Sequence, residues 1–387
     1  MAAVVWVVLA WLLWRTTVPS SLRLPHLNEQ ALFGSRLVHD SRRFERLLDW
    51  LWVLATLATL GAYAVMARRG RMLGPQLGLG PVNGGIILGL VTFTVVWAVG
   101  LPFALVDNWW ERRHGISHQS YGAVLAAAWG SLLGMTLVVF VALAIVLGLA
   151  RRFARMWWLP AGLAVAAILF ALQFAEPFLA TLGTHPVSSR QLAGSIHTLE
   201  RREHAGDPVV RVQDVSGTTR AANAFSIGIG PTKTVVIWNT MLDGRFTPGE
   251  VRFVIGHELG HVVRNHVARG VGWFALLVLP VLLVTSLLVD VRQAGKVPLA
   301  LLVIFVATLL LLPLRNAISR RYEAEADWIA LNGTRDPAAA PGLFRGFVAT
   351  SLEDPSPPGW VHVLLDDHPT PLQRIEMAHA WKSRFEP

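Results

Sequence analysis

Cysteine is absent from the 387-residue chain. That excludes disulfides, thiolate metal sites, a cysteine nucleophile and prenylation or palmitoylation of this chain. Charge is scarce as well. Asp, Glu, Lys and Arg make up 15% of residues, against roughly 25% in a soluble domain. Apolar residues take their place, at 53% of the chain with a mean hydropathy of +0.48. The net charge is +9. Its arginines flank apolar runs and are not interleaved with aromatics in a nucleic-acid pattern, so the expectation is a membrane partner and no nucleic acid.

The apolar residues fall into seven candidate spans. These are Ala2 to Trp14, extendable to Val18, then Leu47 to Ala67, Gly85 to Val106, Tyr121 to Ala150, Trp157 to Leu182, Val271 to Val289 and Val297 to Leu314. The middle spans approach or exceed the ~20 apolar residues that cross a bilayer. The first is short, lacks a basic n-region and shows no small-residue cleavage site, so it reads as a retained anchor. The expected fold is therefore mainly α and polytopic, with about seven transmembrane helices and a small α+β segment.

That segment, about Thr184 to Arg269, is polar and charged. Leu192, Ile196 and Leu199 fall at helical spacing, which predicts an amphipathic helix over Val187 to Glu203. Val209 to Val212 and Thr234 to Trp238 are β-branched runs and read as strands. Asn223 to Ile227 lies between them. Thr247, followed by Pro248 and Glu250, reads as the N-cap of a further helix. The organisation expected is 1–183 as an N-terminal membrane region, 184–270 as the polar segment, 271–314 as two more spans and 315–387 as a C-terminal region.

The further helix carries His257-Glu258-Leu259-Gly260-His261. Histidines four apart on a helix share a face and can grip one zinc ion, with Glu258 beside them as a base for a water. A catalytic zinc needs a third protein ligand and an open fourth position. After the seventh span comes Ser319-Arg320-Arg321-Tyr322-Glu323-Ala324-Glu325-Ala326-Asp327. It reads as a helix on which Glu323 and Asp327 share a face while Glu325 points elsewhere. Glu323 suits a ligand, and Asp327 suits a carboxylate that orients a ligating histidine. A solvated helix paired with Arg320 and Arg321 is an equal reading of that spacing. His266, expected on the same helix as the histidine pair, reads as supporting or structural.

Together with His266, Ser319-Arg320 and Glu323 to Asp327, the His257 to His261 motif resembles the integral-membrane gluzincins typified by the type I CAAX prenyl protease family. Leu101-Pro102-Phe103 and Glu111-Arg112-Arg113-His114-Gly115 resemble that family's loop after the third span. Asn223-Ala224-Phe225 resembles its substrate-facing edge strand, and His368-Pro369-Thr370 with Arg374 resembles its C-terminal active-site motif. The resemblance implies a zinc endopeptidase with one Zn(2+) per chain. Its spans enclose a large chamber, His257, His261 and Glu323 hold the metal, and Glu258 acts as general base. It further implies that His368 and Arg374 are donors to the oxyanion and that Asn223, Ala224 and Phe225 contact substrate. The substrate is then a peptide or protein, with a hydrophobic or lipidated tail as an option. Taken from residue type alone, His368 is a loop histidine, Arg374 a membrane-surface arginine and Asn223 a cap or turn residue. Glu111, Arg112 and His114 fit either a charged membrane-edge loop or a gate to the chamber.

The cysteine-free, tryptophan-rich composition and Asn108-Trp109-Trp110 suggest a bacterial member. Basic residues do not choose an orientation. Arg15, Arg23, Arg36, Arg42, Arg43, Arg46, Arg112 and Arg113 flank the catalytic side. Arg68, Arg69, Arg71, Arg151, Arg152, Arg155, Arg292 and Lys296 balance them on the other. The resemblance favours a cytoplasmic catalytic side. Other readings are a membrane quality-control protease, a transporter and an inactive scaffold. The transporter has against it that ionisable residues concentrate outside the spans, and the scaffold that Glu258 is intact.

Overall fold

The computed structural model describes residues 2–385. Residue 1 and residues 386–387, at the outer ends of the first and last expected regions, lie outside it. In chain order the N-terminal half holds α1 (Ala2–Trp14), α2 (Glu29–Phe33), α3 (Ser35–Gln76), α4 (Pro81–Arg113), α5 (Tyr121–Phe153) and α6 (Trp158–Ala180). The polar segment holds β1 (His185–Pro186), α7 (Arg190–Glu203), β2 (Val209–Gln213), β3 (Ala224–Ile227), β4 (Thr234–Trp238) and α8 (Pro248–Arg264). It is followed by α9 (His266–Leu288), α10 (Val297–Leu310), α11 (Leu312–Thr334), α12 (Ala339–Ser351), α13 (Gly359–Leu364) and α14 (Pro371–Phe385).

Among the described residues, five helices are long and apolar enough to cross a membrane: α3, α4, α5, α6 and α9. A sixth span forms if Ala294–Leu310 and Leu312–Thr334 count as one, bent by 48°. The expected seven thus become five or six by length. The remaining one, α1, has 13 residues, which at ~1.5 Å per residue reach only about 20 Å of a ~30 Å hydrocarbon core. The mainly helical, multi-pass architecture stands. Apolar side chains on these spans, such as Leu133 at 71% and Leu137 at 65% exposed, are left without protein partners, as lipid-facing residues are.

The polar segment folds as a four-stranded sheet in the order β1-β2-β4-β3. β2 and β4 run parallel, with Val210 opposite Val235, and β3 runs antiparallel to β4, with Phe225 opposite Val236. β3 is therefore an edge strand. The amphipathic helix starts at Arg190 and not at Val187, because Ser189 caps it by accepting a bond from Leu192 N–H at 3.2 Å. β1 was not foreseen, since two residues containing a proline give no strand pattern.

Thr247 caps α8 as its sequence predicts: its hydroxyl accepts from Glu250 N–H, and the Glu250 carboxylate accepts from Thr247 N–H at 2.7 Å. α8 packs on α11 through small residues. A Cβ on Gly260 would lie 3.0 Å from Ala326 Cα, and one on Gly256 would lie 3.2 Å from Ala330 Cα. With hydrogen at those two positions the backbones approach closely enough for side chains on the two helices to meet. Leu259, Phe253, Ile255, Leu331, Leu343 and Phe344 fill the core around this contact.

Candidate metal and catalytic site

The α8–α11 contact brings together residues 66 positions apart in sequence. His257 Nε2 lies 3.1 Å from Glu323 Oε2, and His261 Nε2 lies 3.4 Å from Glu323 Oε1. The two Nε2 atoms lie 3.1 Å apart. Tetrahedral nitrogen and oxygen ligands around an ion at 2.0–2.1 Å stand about 3.3 Å from one another. The three residues thus fit a zinc ion by identity and by spacing.

The outer hydrogen bonds fit as well. His257 Nδ1–H donates to Asp327 Oδ1 at 2.8 Å, which leaves its Nε2 a lone pair facing the other ligands. Glu323 Oε2 is buried with no hydrogen-bond donor. Converging lone pairs repel unless a cation lies between them. Burial disfavours a charged His257, but its hydrogen bond to Asp327 and the negative charges of Asp327 and Glu323 outweigh it and raise its pKa to about 10. The pocket favours positive charge.

His261 is oriented differently. Its Nδ1 lies 2.9 Å from His266 Nδ1, and His266 Nε2 lies 3.0 Å from Glu325 Oε2. A carboxylate accepts only, so His266 donates from Nε2 and must accept at Nδ1 from His261 Nδ1–H. His261 Nε2 is then left with a lone pair. Contrary to what its sequence position suggests, His266 is not on the pair's helix. α8 ends at Arg264, Asn265 takes a left-handed conformation (φ 54°), and His266 opens α9. Glu325 does point away from Glu323, into a buried cluster of its own. It faces His266, Arg264 at 2.9 Å, Arg269 at 3.1 Å and the Thr17 N–H at 2.6 Å. Spacing gave no sign of this, because its partners come from the end of α8, from α9 and from the stretch after α1.

The solvated-helix reading of Arg320 and Arg321 does not survive. Glu323 faces the histidines, and both arginines hold backbone carbonyls. Arg320 Nη1 donates to the carbonyls of His362 and Asp366, at 2.7 and 2.5 Å, just before the loop that carries His368. Arg321 Nε donates to Trp14 O at 2.6 Å. His368 reaches Glu323 Oε2 with its Nε2 at 3.3 Å and donates from Nδ1 to Asp367 at 2.7 Å.

Arg374 is placed otherwise than expected. The resemblance implied a donor to the oxyanion, whereas Arg374 is turned to Asp327 and is not among the residues that line the chamber. Its Nε and Nη2 donate to Asp327 Oδ2 and Oδ1 at 2.8 and 2.7 Å, and its guanidinium stacks on Phe344 at 4.4 Å. A bidentate carboxylate pair uses the arginine fork fully and fixes Asp327 behind His257.

The site opens on a cavity of about 960 Å³. Glu258, His257, His261, Glu323 and His368 line its polar wall, with Asn223, Ala224, Phe225 and Ser226 of the β3 edge beside them. Leu143, Leu147, Trp273, Leu277, Ile304 and Thr308, from α5, α9 and α10, make the membrane-side walls. Asn223 Oδ1 accepts from the next backbone N–H, Ala224, at 2.9 Å, and its amide nitrogen has no partner among the described residues. Glu111, Arg112 and His114 do not line the cavity. His114 packs on Trp110 at 4.2 Å and on Phe44 at 5.0 Å, and Arg112 holds Gln119 O at 2.5 Å.

Comparison with known proteins agrees with this geometry. The profile of peptidase family M48 matches residues 186–382, which include every residue of the site. The chain is 31% identical over 258 residues to the uncharacterized metalloprotease YhfN of Bacillus subtilis, covering 62% of this chain and 59% of that one. It is 25% identical over 265 residues to a CAAX prenyl protease 1 homolog of Arabidopsis thaliana, covering 60% and 53%. The chain thus spans little more than half the length of these relatives. The crystal structure of S. mikatae Ste24p superimposes with a TM-score of 0.74 over 97% of this chain and 96% of that one, at 16% identity. At that identity the likeness is one of fold.

Proposed function

The chain belongs to peptidase family M48, and on that premise we propose that it is a zinc-dependent endopeptidase of the membrane, hydrolysing peptide bonds inside the chamber. One observation carries the reading: His257, His261 and Glu323 converge to within 4.8 Å, with Glu258 beside them on the same cavity wall.

Held by His257, His261 and Glu323, zinc would polarise the scissile carbonyl and acidify the attacking water. The remaining work falls to the chain. The β3 edge, from Asn223 to Phe225, has unpaired backbone groups on the chamber side and receives an extended peptide as an added strand. Glu258 takes the proton of the attacking water as the oxygen–carbon bond forms. It returns that proton to the leaving amine as the carbon–nitrogen bond breaks. His368 donates to the developing oxyanion. Burial opposes its charging, but Glu323 and Asp367 raise its pKa, which favours the donating form. Asp327, held by Arg374, keeps His257 in one tautomer, and His266 does the same for His261.

The substrate is an unfolded or extended peptide, and the apolar chamber walls admit one with a hydrophobic tail. Relatives named as a mitochondrial metalloendopeptidase, OMA1 of Arabidopsis thaliana, and a protease HtpX homolog of Methanosarcina acetivorans favour a second reading, a quality-control protease acting on damaged membrane proteins. The bacterial cell membrane, with the site on the cytoplasmic side, is the setting proposed. Elemental analysis of purified protein tests the metal assignment. One zinc per chain is expected in the wild type, with strong loss in Glu323→Ala. Full zinc in that variant would remove Glu323 from the ligand set.

A further inference from the structure

A second cavity, of about 530 Å³, lies where α1 ends against the α8–α9 junction. Leu12, Arg15, Thr16, Thr17, Val263, Arg264, Asn265 and Arg269 line it. Arg321 stands just outside, on the Trp14 carbonyl. Four arginines thus gather around one fully buried carboxylate, Glu325, which pairs with Arg264 and Arg269. Two of them are spent on protein: Arg269 bonds Glu325, Leu13 O and Arg15 O and stacks on Tyr322 at 4.4 Å, while Arg321 holds Trp14 O. The other two have nitrogens to spare. Arg15 makes no side-chain hydrogen bond among the described residues and only stacks on Trp11 at 5.3 Å. Arg264 faces Glu325 with Nε, and its terminal nitrogens have no partner among the described residues. The hydroxyls of Thr16 and Thr17 add neutral donors around the same space.

This concentration of unspent donors sits at a membrane boundary. α1 packs on the α9 span, with Trp14 edge-on to Trp273 at 6.3 Å and Trp6 Nε1 donating to Leu276 O at 2.9 Å. Its outer face, with Val8 at 48%, Trp11 at 60% and Leu12 at 45% exposed, is apolar up to the turn before Arg15. Tryptophans beside an arginine at the end of an apolar helix mark the headgroup level. An acyl chain laid along Val8 and Leu12 would put its phosphate between Arg15 and Arg264.

We propose that this cavity binds the phosphate of an anionic phospholipid, with Arg15 and Arg264 as its charged donors. A free phosphate would share the donors but leave the apolar face of α1 unused, so lipid is the source to which the geometry points.

The test uses the full chain in detergent and native mass spectrometry. Dioleoylphosphatidylglycerol, dioleoylphosphatidylcholine and inorganic phosphate are titrated separately. Phosphatidylglycerol is expected to be retained in preference to the other two. Arg15→Gln should weaken it about fivefold and Arg15→Gln with Arg264→Gln on the order of 30-fold, from the roughly additive contribution of basic residues at an anionic surface. Arg292→Gln, on an exposed turn elsewhere, should change nothing. Equal retention of the two lipids would overturn the proposal, as would inorganic phosphate binding as tightly as the lipid. Loss confined to variants of Arg264, with Arg15→Gln unchanged, would also overturn it, because Arg264 touches Glu325 and its removal disturbs packing by itself.

Discussion

His266 Nδ1 lies 2.9 Å from His261 Nδ1, and its other ring nitrogen faces the buried Glu325. The bond joins the first residue of a membrane span to a residue of the metal site. It makes His261's free lone pair depend on a carboxylate one residue removed. Residues that orient metal-ligating histidines typically contribute 10–100-fold in affinity. His266→Ala and Glu325→Gln are therefore expected to weaken zinc binding by about 10–100-fold, measured by competition with a chelator. His266→Asn, which keeps a hydrogen-bonding side chain, should restore part of the loss. Unchanged affinity in both variants would show that His261 is oriented without them.

Glu258→Gln is expected to keep one zinc per chain and to lose activity. The side chain neighbours the ligands yet is not among the three that converge. Losing the base should cost ~10²–10⁴-fold or more in turnover. The paired measurement, zinc content and cleavage of an unfolded peptide, separates this from metal loss. Near-wild-type turnover would sink the assignment.

What the sequence made legible, and what it did not, follows from range. The histidine pair, the Thr247 cap and strands such as Thr234 to Trp238 are written in local spacing, because helix and strand periods act over a few residues. The membrane spans are legible from composition alone, although the bend between α10 and α11 is not. Glu323 could be named as a candidate ligand because its surroundings resemble a known motif. Glu325 could not, since its partners lie 308 residues away at Thr17 and 59 away at His266. Arg374 shows the converse: its presence was legible, but whether it faces the chamber or Asp327 is decided by packing on Phe344.

Glu203 is another residue that no pattern announced. It is buried between α8 and α11, against Gly256 and Gly333, and neither carboxyl oxygen has a hydrogen-bond partner among the described residues. Burial raises its pKa to about 9, with His257 opposing. The folded value lies above the ordinary carboxylate value of 4.5, so between these two values the folded chain holds a proton that the unfolded chain releases. Stability should fall as pH rises from about 5 to 9, and Glu203→Gln should remove that slope. The difference at neutral pH is on the order of 3 kcal/mol. Melting temperatures of wild type and Glu203→Gln across that range check it. Parallel curves would show that Glu203 is charged in the fold.

The last expectation concerns what the spans contribute. His257 and His261 lie on α8, Glu323 on α11, and α9 and α10 run between them. The ligands meet because α8 and α11 pack through Gly256, Gly260, Ala326 and Ala330. α11 is tied in turn to the N-terminal region, through Arg321 to Trp14 and Glu325 to Thr17. An excised polar segment, about Thr184 to Arg269, has the histidines and the base but lacks the carboxylate ligand and the Asp327–Arg374 support. It also lacks the membrane walls of the chamber. It is expected to bind zinc weakly and to cleave nothing, while the full chain in detergent or bilayer cleaves short or unfolded peptides. A charged site cannot face lipid without large cost, so it opens inward to a water-filled space. A cavity of about 960 Å³ accommodates an extended strand and excludes a folded domain. Compact proteins should therefore survive incubation that consumes unfolded ones. An active excised segment would reduce the spans to an anchor. Rapid loss of a compact protein, with no unfolding partner, would contradict an enclosed site.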